Sequence, residues 1–132
     1  MAPKWDQVLE SSFASVTVAS LSLTAAGINR AATIMIAVDG ALDAPLAATV
    51  DGVAATLETS LGAPKGTYLW SFLGPPNSSV AYTVSWGTAK TGVIRVMTFN
   101  GIIQSGGVRA ANAATGASTV PSVTLTTASG DI

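Results

Sequence analysis

The chain reads as all-β: a two-sheet antiparallel sandwich, jelly-roll-like, of about eight strands. Three observations predict this. Apolar residues recur with period two, as Ala32, Ile34, Ile36 and Val38 do in RAATIMIAV. Turn signals punctuate the chain at Ala26-Gly27, Asp39-Gly40, Asp51-Gly52, Gly62 to Gly66, Gly74 to Ser79 and Gly87. With 132 residues, one domain can bury a core without disulfides or metals.

The elements follow in chain order. Residues 1–12 read as an N-terminal arm, in which Trp5, Val8 and Leu9 stand at helical spacing and predict one helical turn. Residues 13–132 read as the sandwich. FASVTVASLSLT changes phase, with Val16 and Val18 even and Leu21 and Leu23 odd. A bulge near Ala19-Ser20 would return all four to one face and let the strand cross between sheets. PLAATV and VAATLET flank Asp51-Gly52, the signature of a type I′ hairpin.

In LWSFLGPPNSSVAYTVSW, two aromatic-rich runs flank a stiff corner at GPPNSS. Tyr68, Trp70 and Phe72 share one parity. They fill the core or form a flat platform for sugar rings, and the core is the simpler expectation because aromatics carry large apolar area. Leu69, Ser71 and Leu73 would then look outward or into a neighbour. Val80, Tyr82, Val84 and Trp86 alternate with Ala81, Thr83 and Ser85. VIRVMTF is apolar on both faces except at Arg95, which suits a central strand. The expected core is Val16, Val18, Ile34, Ile36, Leu57, Val84, Trp86, Val96 and Phe99. Arg30 marks a strand start, and Arg95 faces solvent or pairs with a carboxylate such as Glu58. Residues 100–119 form a long Gly/Ala-rich connection of the kind that contacts a partner or moves. Near the end, Val123 and Leu125 alternate with Ser122, Thr124 and Thr126.

Composition narrows function by exclusion. Histidine and cysteine are absent, which removes the usual general base, the thiolate nucleophile and nearly every zinc or copper site. Asp39, Asp43 and Asp51 are the remaining candidate acids, and all lie in turn-like sequence, where such residues bond nearby backbone. DGALD lacks the ligand density of a calcium loop. The expectation is therefore no enzyme and no cofactor or metal. Six basic and seven acidic residues give no field for nucleic acid and no polybasic patch for a membrane. MAPKWDQVLESS lacks the apolar stretch of a standard secretory signal, which points to synthesis in the cytoplasm. Charged residues make up only 10% of the chain, against roughly 25% in ordinary soluble domains. A surface so poor in charge is expected to be covered by neighbours.

The succession NRAATIMIAV, VDGVAATL, YLWSFLGPPNSSVAYTVSW and VMTFNGI resembles a β-sandwich module of bacteriophage virion proteins and bacterial surface proteins. The resemblance spans about residues 13 to 127 and rests on structural signatures, with no catalytic residues among them. It implies a virion structural protein, a head decoration or cement protein that binds and stabilises the major capsid protein shell. It also implies a homo-oligomer, with a trimer expected first. The alternative is a carbohydrate-binding sandwich module on a cell surface or phage. Expected contacts are Trp5, Val8 and Leu9 on the arm, Ile102, Ile103 and Arg109 on the connection, and Val123 and Leu125 in the last strand. That last strand is expected at an open sheet edge beside a subunit contact.

Overall fold

The computed structural model describes residues 4–62, 65–102, 104, 111 and 124–125. Among these, seven strands form one antiparallel sheet: β1 (Lys4–Leu23), β2 (Ala31–Asp39), β3 (Ala47–Val50), β4 (Val53–Ala54), β5 (Thr56–Leu61), β6 (Lys65–Leu73) and β7 (Val80–Asn100). The order is β4-β3-β7-β2-β6-β5, and β1 pairs with β7 outside that path. Only Ala55 separates β4 from β5, so the chain steps directly from one end of the sheet to the other. That is possible only because the sheet curls.

β1 and β7 organise the curl. The first half of β7 pairs with β3 and with the end of β1, through partners such as Val84 with Ala48 and with Ala19. Its second half pairs with β2 and with the start of β1, as Val96 does with Ile34 and with Leu9. Between the two halves, Gly87, Thr88 and Ala89 are exposed. The backbone passes closely here: a side chain on Gly87 would collide with the Ala44 carbonyl, and one on Gly92 with that of Ala37. The sheet thus has two arms that share one long ribbon. Ile34, Ile36, Tyr68, Trp70, Ile94 and Val96 of one arm join Ala48, Val50, Tyr82, Val84 and Trp86 of the other in a single buried cluster.

Several sequence expectations hold in detail. Asp51 and Gly52 have φ of 50° and 78°, the positive pair a type I′ turn needs, and Val50 pairs with Val53 across them. Arg30 precedes β2 and donates from Nε to the Pro75 carbonyl at 2.7 Å, while Gly74 N–H donates to the Arg30 carbonyl. These bonds tie down the GPPNSS corner. Tyr68 and Trp70 are buried, and Phe72 packs against the core.

Other expectations are corrected. Residues 4–12 are the first half of β1, extended and paired, so the helical spacing of Trp5, Val8 and Leu9 is a coincidence of composition. Besides a register break between Trp5 and Gln7, the breaks in β1 fall between Phe13 and Val18, ahead of Ala19, with Ser15 at φ 52°. That shift hands the inward positions to Ala19, Leu21 and Leu23 and leaves Val18 50% exposed. Leu57 is 46% exposed although it pairs with inward Trp70, because it lies on β5 at the end of the strand order and lines the open seam of the curl. Phe99 is half-buried: it has the parity opposite to Val96 and pairs with Ala31 and Trp5 on the outer side. Val16 is half-buried against the core. The strand expected around residues 121–127 lies outside the described residues except for Thr124 and Leu125, which are exposed and not in a strand.

Candidate contact surface

The free side of β1 is the candidate site. β1 pairs only with β7 among the described strands, so one side of a 20-residue strand carries backbone N–H and C=O groups that no other strand takes up. Trp5, Val8 and Leu9 are 59%, 43% and 42% exposed. They do not share a face. Leu9 pairs with inward Val96, whereas Val8 pairs with Met97 and Trp5 with Phe99 on the outer side. Apolar surface is therefore open on both faces of the same edge.

The sequence explains why this edge is built so. Gln7 donates from Nε2 to the Thr24 carbonyl at 2.5 Å, and Asp6 accepts from Ala26 N–H and from the buried Thr98 hydroxyl at 2.9 and 2.8 Å. These bonds pin the start of β1 to the loop after its own end. Glu10 and Arg95 face each other across the β1–β7 pair and form an ion pair, with Nε–Oε2 at 2.7 Å. Arg95 thus pairs with Glu10, and Glu58 instead accepts from the Ser71 hydroxyl. Both members of the ion pair are about half exposed, so its worth is at most about 1 kcal/mol.

The outer side of the adjoining arm continues the apolar character. Met35, Leu69, Leu73, Val93, Met97 and Phe99 are all half-buried there. Leu69, Ser71 and Leu73 look outward, opposite the buried aromatic face. Trp70 is 3% exposed, and its ring stacks on Tyr68 at 5.9 Å. The platform a sugar would need is thereby turned inward. An open cleft of about 300 Å³ lies at the seam of the curl, between Leu46, Ala48, Thr49, Ala55, Leu57 and Trp70. Its walls are mostly apolar, with Thr49 as the polar side chain among them, and offer few groups to orient a polar ligand.

Of the candidate acids, Asp39 is the last residue of β2, opposite Lys65, rather than a turn residue, whereas Asp43 and Asp51 lie in the connections after β2 and β3. Asp43 accepts from Thr88 N–H at 2.8 Å and from the Thr88 hydroxyl, and these bonds hold its carboxyl below the ordinary value of 3.8. Asp51 occupies the hairpin turn. Among the described residues, no three His, Cys, Asp or Glu side chains gather as metal ligands would.

Of the residues expected to make contacts, the structure gathers Trp5, Val8 and Leu9 on one edge. Ile102 is half-buried, and its N–H donates to the Asn29 carbonyl, so it closes the end of the arm. Leu125 is exposed. Ile103, Arg109 and Val123 lie outside the described residues. The outward look of Leu69, Ser71 and Leu73 on β6 was expected, but the continuing row on β7 was missed as a surface because VIRVMTF reads equally well as a strand covered on both sides. Comparison with family models, curated proteins and solved structures finds no match.

Proposed function

We propose that this chain is a non-catalytic structural protein of a bacteriophage particle, a head decoration or cement protein that binds and braces the capsid shell. The observation that carries the proposal is the pairing of a charge-poor sequence with a long strand edge that is apolar on both faces. Such an edge on an ordinary monomer would be blunted by lysine, proline or a cover. The two arms of the curled sheet are then the two leaves of a jelly-roll-like sandwich, with contact surface outside and aromatics inside. The carbohydrate-binding alternative loses its main support with Trp70 buried, and the cleft beside Trp70 offers few polar groups among the described residues to replace it. Self-association accompanies shell binding, and the virion is the place of action.

The test is sedimentation of the purified chain with empty bacteriophage heads through a density gradient, beside the same chain on immobilised polysaccharides. Co-migration with heads at regular stoichiometry supports the proposal. Binding to a polysaccharide without co-migration overturns it in favour of the lectin-like reading.

A further inference from the structure

We infer that the free edge of β1 pairs with the same edge of a second copy, antiparallel about a two-fold axis centred on Leu9. The inference deepens the self-association proposed above and does not depend on the shell. It replaces the expected trimer with a symmetric dimer.

Four observations lead to it. Every ladder in the described sheet is antiparallel, and a two-fold axis through an edge strand produces another antiparallel ladder from one surface alone. Exposed Trp5, Val8 and Leu9 lie on both faces of the first half of β1, so an added strand shades all three, whereas a ligand lying on one face does not. The stretch from Gln7 to Phe13 keeps an unbroken register with β7 and carries no proline or lysine to blunt it. Finally, charge disfavours one register and apolar cover favours another. A two-fold axis normal to the sheet preserves each face, so it must pass through a residue. Centring on Glu10 sets two carboxylates opposite each other, and centring on Val8 sets Leu9 opposite polar Gln7. Like charges directly opposed are destabilising. Centring on Leu9 faces Leu9 with its own copy, Val8 with Glu10, and Gln7 with Ser11. The apolar side chain is then covered, and each Glu10 keeps its Arg95.

The absence of cysteine makes the test clean. Leu9→Cys puts one thiol at the axis, within reach of its twin, because directly opposed Cβ atoms lie about 4.5–5.5 Å apart. Val18→Cys is the control: Val18 is also exposed on the same strand, but it lies nine positions from the axis and beyond the register breaks, so its two copies do not face each other. Mild oxidation should crosslink most of the Leu9→Cys protein at dilute concentration and leave Val18→Cys monomeric. Circular dichroism before oxidation confirms that both variants keep the strand signature. Equal crosslinking of the two variants, or none in either, overturns the inference. Sedimentation of Leu9→Lys should show a loss of association of at least tenfold, since the substitution sets two ammonium groups together at the axis. A trimer, or association unchanged in Leu9→Lys, also overturns it, whatever the chain does with phage heads.

Discussion

At the scale of single residues, the two tyrosines make opposite demands. The Tyr68 hydroxyl accepts a hydrogen bond from Leu42 N–H at 2.9 Å in the core. Replacing it by phenylalanine strands a buried donor, and Tyr68→Phe should cost about 1–2 kcal/mol in chemical denaturation. The Tyr82 hydroxyl is fully buried with no partner among the described residues. Tyr82→Phe should leave stability within about 0.5 kcal/mol or raise it, because the phenylalanine removes a desolvated group that gains nothing. Burial pushes the Tyr82 hydroxyl up to about 12 from an ordinary 10.0. A raised value means the folded state holds this proton more tightly. The resulting stability is complete below pH 10 and disappears as pH climbs through about 12. Denaturant midpoints between those values should fall in the wild type and fall less in Tyr82→Phe. Asp43 has the opposite sign: its lowered value adds stability above the ordinary carboxylate range that is lost as acid titrates the folded form. Thr88→Val should bring the Asp43 midpoint back up in a carboxyl NMR titration. The sequence marked Asp43 as a turn residue, but its partner lies 45 positions away, a pairing that no local pattern contains.

At the scale of elements, the tightest turn was legible and the longest strands were not. Asp51-Gly52 announced its hairpin because only a few residues tolerate two successive positive φ values. Space around Gly52 is empty, so Gly52→Ala should cost about 1–2 kcal/mol from backbone conformation alone. Gly92→Ala should cost more, since its side chain meets the Ala37 carbonyl, and thermal melts of the pair would rank them. β1 misled on two counts. Its first half carries apolar residues at 5, 8 and 9 because both faces of an edge are exposed, which imitates helical spacing. Its irregularities between Phe13 and Val18 reset the parity that separates inside from outside, so a core list made by parity went wrong at Val18. The same element changes what a truncation should do. Deleting residues 1–10 removes a paired strand and uncovers the β7 backbone from Arg95 to Asn100. The melting temperature should drop by more than about 5 °C, and the truncated chain should aggregate through the new edge.

At the scale of the whole molecule, composition and shape converge. The low charge count predicted a surface covered by neighbours, and the sheet shows where covering would be most favourable, along β1 and the adjoining outward row. A net charge of −1 adds little repulsion between copies. That the chain is all-β was legible from its period-two pattern. That a single sheet curls around one shared ribbon was not, because β7 contacts β1, β2 and β3 through pairings that only the folded chain reveals. Native mass spectrometry of the untagged chain over a wide concentration range tests the assembly claim most directly. A species at twice the 13.1 kDa chain mass, growing with concentration and lost in Leu9→Lys, is the predicted result. A spectrum holding only the 13.1 kDa monomer at every concentration would contradict the account.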